Sequence, residues 1–363
     1  LILNVVSYLA IILLVTWEQN YLLALGIGTV TEVVLNIWIS WYVEQKYPFL
    51  RQRRKEKSTS SLTKRIVRDL KSLFISRISE KMLYCTDNLI ISGFIGVGTV
   101  GRYANYCMIT QAISNILTIL ANTIQPTVGD YFTEKNRQRN YEILRQLTFG
   151  FFCIASVVSV GLFSLITPFV RDIWLGPSYE LGWGITVFCI VVLLVRIMGL
   201  PLSLVMGVTG LFEKEKNVGA SSALLNLIVS LALVKPYGMA GVLLGTLLSY
   251  LLQILYRYII YFRDFLEMPG EALRYAQDIG EYLAVIAGEV LLMQKIVPLI
   301  YGAGGMLLFC VCFLLCIAIP LLLDLVIFGR GWRLQSIVTM VKGEKPDAIE
   351  ISLCILKKIR RGQ

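Results

Sequence analysis

The stretch "GGMLLFCVCFLLCIAIPLLLDLVIF" (304–328) carries a single charged residue, Asp324, and it is one of many such apolar runs. Windows of roughly 20 apolar residues match the thickness of a bilayer's hydrocarbon core. In lipid every backbone N–H and C=O has to be bonded within the chain, which leaves helices or closed barrels. Barrel strands alternate polar and apolar residues over about 10 positions. These runs are twice as long and rich in Leu and Ile, so they are read as helices. Composition agrees, with 56% hydrophobic and 16% charged residues, where a soluble domain has about a quarter charged. The chain is therefore read as an all-α polytopic membrane protein of about ten transmembrane helices. They lie near 1–16, 21–43, 73–97, 103–125, 147–170, 182–207, 217–235, 238–262, 281–300 and 304–328. The first begins at residue 1 without an initiating Met or a signal-peptide pattern, so the expectation is a fragment lacking its N-terminus.

Lys and Arg set the expected orientation. Alternate connections (44–72, 126–146, 208–216, 257–280 and the tail 329–363) hold 27 of the 34 basic residues. The opposite set holds only Arg102, Arg171 and Lys235. Basic loops stay cytoplasmic, which places 44–72 and the C-terminal tail in the cytoplasm. The same rule accounts for the net charge of +10 without a nucleic-acid partner. Within 44–72, Leu62, Ile66, Leu70 and Leu73 share one helical face, with Lys64, Arg65, Arg68 and Lys71 elsewhere. That pattern suits a basic amphipathic helix on the membrane surface, or a solvated linker that merely obeys the charge rule.

Histidine is absent, which removes His-based nucleophile pairs, metal ligands and proton relays. Most of the eight cysteines sit in apolar spans, and "CVCFLLC" lacks zinc-ligand spacing, so no metal site is expected. No catalytic group is assigned. The glycines of "GMAGVLLGTLLSY" (Gly238, Gly241, Gly245) form a small-residue face for close helix packing. Pro201, between Gly199 and Gly207, interrupts a backbone ladder.

The third segment is charged where lipid-facing residues are expected. At 100° per residue, Arg77, Lys81, Tyr84 and Asn88 fall within about 60° of one another, and Glu80 and Asp87 widen the arc to roughly 120°. An unpaired ion at mid-bilayer costs about 2.5–3.5 kcal/mol on the insertion scale, so this face looks at other helices or a hydrated cavity. Arg77 has the alternative of snorkelling to the surface, and Glu80 pairs locally with Arg77 or Lys81. Asp87 either lines the cavity or makes an interhelical hydrogen bond. Arg196 lies mid-span with no acid nearby in sequence; its partner is Asp87, Glu80 or an anionic substrate. Lys295 and Glu289 are read as a further pair with a structural role, and Asp324, one turn from a span end, is given none.

Several motifs resemble a known family. "TDNLIISGFIGVGTVGRYANY" (86–106), "KYPFL", "IQPTVGDYFTEKNRQRNYEILRQLTF", "PFVRDIWLGPSY" and "TGLFEKEKNVGASSALLNLIVSLALVKPYGMAGVLLGTLLSYLL" are similar, in order, to Wzx-type polysaccharide flippases of the MOP (MATE-like) exporter superfamily. The resemblance spans roughly residues 1 to 330. It implies two six-helix lobes around a central cavity that rock to give alternating access. On that pattern 1–43 are the last two helices of a truncated N-lobe, 44–72 the cytoplasmic linker, and 73–262 a C-lobe of six helices. Segments 281–328 are two extra C-terminal helices and 329–363 a basic cytoplasmic tail.

The implied function is translocation of undecaprenyl-pyrophosphate-linked oligosaccharide repeat units across the bacterial cytoplasmic membrane, for surface polysaccharide such as O-antigen or exopolysaccharide. Arg77, Lys81, Arg196, Tyr84 and Asn88 are the substrate-cavity candidates. Glu80 and Asp87 would hold those cations in the empty state or bind a coupling H⁺ or Na⁺. Expected partners are the lipid-linked oligosaccharide, membrane lipids, and polysaccharide polymerase and chain-length proteins. A multidrug antiporter or peptidoglycan-precursor flippase of the same fold is the nearest alternative. A membrane glycan polymerase is disfavoured because every outward loop is short.

Overall fold

The computed structural model describes residues 21–47, 85–132, 136–302 and 304–329, with isolated positions between 9 and 16 and between 67 and 82. Segment 1–16, most of the basic loop 44–72 and the tail beyond 329 thus fall largely outside the described residues. The chain divides into two compact units, 1–65 and 66–363. In the first, α1 runs Tyr21–Lys46. The second holds α2 (85–94), α3 (Val97–Phe132), α4 (Arg137–Pro168), α5 (Trp183–Val208), α6 (Phe212–Ile259), α7 (Pro269–Tyr301) and α8 (Met306–Phe328). About 93% of the described residues are helical and none of them is in a strand, so this is an all-α polytopic membrane protein.

The helices overrun the apolar windows that signal them. The segment expected at 281–300 starts at Pro269, and the one at 147–170 starts at Arg137. Polar first turns such as "RQRNYE" continue the helical hydrogen bonding outside the hydrocarbon, where hydropathy no longer reports it. Asn136 caps α4, its side chain accepting from the Arg139 N–H at 3.2 Å.

Helices α3 to α8 are each long and apolar enough to cross a membrane. The 48 residues of α6 are not one rod, because Gly238 has φ 57° and ψ −135°. Asn226 and Thr246 would lie about 30 Å apart along a straight helix, yet their side chains are bonded at 2.8 Å. Ser230 Oγ likewise donates to the Val242 carbonyl at 3.2 Å. The chain doubles back at "KPYGM", so the expected segments 217–235 and 238–262 are the two arms of a hairpin. Gly238 thus belongs to the turn and not to the packing face assigned to it from sequence. Gly241 and Gly245 do face the opposite arm: a Cβ on Gly241 would strike the Leu233 carbonyl, and one on Gly245 would meet Ser230 N at 3.1 Å and Asn226 O at 3.2 Å. Gly238→Ala should cost about 1–3 kcal/mol, since this backbone region is almost closed to residues with a Cβ. A thermal melt of the purified protein would show it as a lowered Tm, with Gly184→Ala, in open space, as the control.

The hairpin fixes chain direction. Pairs across α4 and α7 rise together in number: Arg145 with Asp278, Phe152 with Tyr282, and Ser156 with Glu289. The two helices therefore run parallel, which requires an even number of reversals between them. A single-pass α6 would make them antiparallel.

Within the unit, α5 packs against α3, α4 and α6, while the other side of α4 packs against α7 and α8. Over half of the apolar window of α4 is buried, against about a sixth for α8. Helix α8 buries one narrow seam (Cys312, Cys316, Pro320, Asp324, Phe328) at a spacing of four and exposes leucines elsewhere. Phe149, Phe152, Tyr282 and Phe328 knit α4, α7 and α8 together, with Phe152 and Tyr282 stacked at 4.5 Å. Arg145 adds a bidentate ion pair from α4 to Asp278 on α7, at 2.7 and 3.1 Å. Pro201 lies within a continuous α5, where Gly199 admits the Ile254 side chain of α6.

Candidate functional site

Three helices present polar stripes to one groove. On α3 the stripe is Tyr103, Cys107, Gln111, Asn115 and Thr118; on α5 it is Cys189, Arg196 and Ser203; on the second arm of α6 it is Thr246, Tyr250, Gln253 and Arg257. Steps of three, four or seven residues keep each set on one helical face. Lys81, Asp87 and Asn88 close the groove from the 81–94 region. It comprises a cavity of about 560 Å³ and another of about 330 Å³, which share Lys81, Gln111, Asn115, Arg196 and Tyr250.

Among the described residues the lining carries three cations, Lys81, Arg196 and Arg257, and a single acid, Asp87. Neutral amides and hydroxyls fill the intervals. A polar groove of this kind between apolar helices offers N–H donors to anions and both donors and acceptors to hydroxylated groups. Arg257 sits in the last turn of α6, at the basic end of the bundle, and Asp87 lies at the far end of the stripe.

Asp87 is buried, and the Thr246 hydroxyl approaches both of its oxygens, at 2.9 and 2.8 Å. Asn226, from the first arm of α6, donates to Thr246 at 2.8 Å. The node thus ties α2 to both arms of the hairpin, and Gly245 makes room for it by letting the arms approach. Of the two sequence readings of Asp87, cavity lining and interhelical bonding, the structure contains both. It does not pair Asp87 with an arginine: the carboxylate is bonded to Thr246 at the level of Cys189, two turns along α5 from Arg196.

Among the sequence candidates, Lys81, Asn88, Asp87 and Arg196 line one cavity. Arg77, Glu80 and Tyr84 lie outside the described residues, so their place on the stripe is left as the helical spacing gives it. The pairing of Glu289 with Lys295 does not occur. Six residues put the two on different faces; Glu289 is buried and accepts from Ser156 at 2.6 Å, while Lys295 is exposed. Asp324 is buried in the α8 seam and is not an end-of-span residue of no consequence. Gln111, Asn115, Tyr250, Gln253 and Arg257 had no sequence assignment. Among the described residues no group of three or more Cys, Asp or Glu could hold a metal ion.

Residues 1–132 match the model of a family described as polysaccharide biosynthesis protein. The match ends at the last residue of α3, and so takes in Lys81, Asp87, Asn88 and the whole α3 stripe of the groove. No curated protein matches the chain.

Proposed function

We propose that this chain moves an undecaprenyl-pyrophosphate-linked oligosaccharide repeat unit across the bacterial cytoplasmic membrane by alternating access, as a transporter and not an enzyme. The observation that carries the reading is the cationic, amide-lined groove enclosed by apolar helices, in a chain whose first 132 residues match a polysaccharide biosynthesis family. The polyprenyl tail needs no protein path, because it stays in lipid. The pyrophosphate does need one: Lys81, Arg196 and Arg257 would receive it, arginine being suited to bidentate phosphate contacts. The sugars would bond to Gln111, Asn115, Tyr250 and Gln253. Asp87, in its Thr246–Asn226 node, would bind a coupling H⁺ or Na⁺ or hold the cavity in shape. A drug antiporter of cationic substrates is disfavoured, since a groove with three cations would repel them.

On this reading the basic loops, including 44–72 and the tail, face the cytoplasm, and the groove is filled from its Arg257 end. Polymerase and chain-length proteins would act on the delivered product. A deletion strain should accumulate lipid-linked oligosaccharide on the inner leaflet, and the intact protein supplied in trans should clear it. Absence of accumulation counts directly against the assignment.

A further inference from the structure

On the side of α4 away from the groove, three helices bring Ser156, Glu289 and Asp324 together. Both acids are nearly inaccessible, Glu289 at 3% and Asp324 at 4% relative exposure. Ser156 donates to Glu289 Oε2 at 2.6 Å, and Asp324 faces the same point, beside Ser156 and within electrostatic reach of Glu289. Glu289 Oε1 and both oxygens of Asp324 have no partner among the described residues. No ion pair reaches either acid there. Arg145 is bonded to Asp278, and Lys295 points away. The neighbouring titratable group on α4 is the Cys153 thiol, and on α7 the Tyr282 ring lies two turns away, stacked on Phe152.

We propose that Ser156, Glu289 and Asp324 form a proton-binding site, separate from the groove, in which the two carboxyl groups share one proton. Two carboxylate ions side by side out of water repel each other, and one hydroxyl donor does not neutralise either. A proton on one carboxyl donates to the other and so fills oxygens that are otherwise orphaned. Two carboxylates and a hydroxyl are fewer oxygens than Ca²⁺ or Mg²⁺ takes, and among the described residues no group of three or more Cys, Asp or Glu is placed to hold a metal ion. The aromatic cluster of Phe152, Tyr282 and Phe328 seals the site one turn away on α4 and α8. No residue of α4, α7 or α8 lines either cavity of the groove, so this site stands whether or not the groove carries a lipid-linked sugar. The shared proton fastens α8 to α7, which Ser156 ties to α4.

Infrared spectroscopy of the purified chain in lipid tests it without relying on any variant. At neutral pH the carbonyl stretch of a protonated carboxyl should be present and should shift when the carboxyls are ¹³C-labelled on glutamate, because Glu289 is the one buried glutamate among the described residues. Labelling aspartate should shift it too, and the band should vanish as the pH is raised. Glu289→Gln, where it folds, should abolish the glutamate-sensitive band and Asp324→Asn should shift it, whereas Asp87→Asn in the groove should leave it intact. A spectrum in which glutamate labelling moves no such band overturns the proposal. So does a band unchanged in both single variants, or one removed by Na⁺ at constant pH, which would assign the site to a metal cation.

Discussion

Replacing Arg196 by alanine should abolish most transport and leave the protein folded. Arg196 lies in both cavities of the groove, about midway along α5, and its side chain is partly exposed to that space. A substrate phosphate bound there would lose a charge-assisted bidentate contact worth about 2–3 kcal/mol, which is a roughly 30- to 150-fold drop in affinity. In a deletion strain, Arg196→Ala should therefore leave lipid-linked oligosaccharide accumulated, as the empty vector does. Arg196→Lys should restore part of the activity, since the charge remains but the planar fork is lost. Arg257→Ala, nearer the basic end, should slow uptake and make it more salt-sensitive, as expected for a steering charge. Wild-type export in Arg196→Ala would remove the groove's assigned role.

The helices were legible because lipid imposes one rule on every apolar run, and because loop charge alternates so strictly. The hairpin at Gly238 was legible for the same reason. Two apolar arms flanking "KPYGM" are each long enough to span, even though backbone bonding runs on through the turn. Helix ends were not legible. Hydropathy falls off at the headgroups, while Arg137, Gln138 and Arg139 go on extending α4 into the aqueous side.

The site was legible only where it is charged. Asp87 and Arg196 stand out because an ion in hydrocarbon has a cost that demands an explanation. Gln111, Asn115 and Gln253 carry no such penalty, because neutral side chains in a membrane helix can bond along their own helix, as Gln111 does with Asn115 at 2.9 Å. Nothing within α3 alone says that its stripe meets those of α5 and α6. Asp324 was misjudged by depth, when the deciding quantity is which face of α8 it occupies. The spacing of Cys312, Cys316, Pro320 and Phe328 was in the sequence and marks that face. Glu289 and Lys295 show the converse error, since residues six apart do not share a helical face, whatever their charges.

Thr246→Val should be the most destabilising single change in the groove, despite removing only a hydroxyl in exchange for a methyl. Thr246 approaches both oxygens of Asp87 and takes the Asn226 amide at 2.8 Å. Without it a buried carboxylate loses its hydroxyl donor and Asn226 is left with Asp87 as its acceptor. Leaving one member of a buried polar network unpaired costs about 3–5 kcal/mol when a charge is involved. The purified variant should melt well below wild type. Removing the carboxylate as well, in Thr246→Val/Asp87→Leu, should recover the part of the loss that comes from the unpaired carboxylate, while the buried Asn226 amide then lacks an acceptor. The double-mutant cycle then yields a large favourable coupling between the two positions. Transport separates the remaining roles. If Asp87 only holds the hairpin against α2, the stable double variant exports normally. If Asp87 binds the coupling ion, the double variant is stable and inactive. If the losses of Thr246→Val and Asp87→Leu simply added in the double variant, the Asp87–Thr246 contact would contribute nothing to the fold.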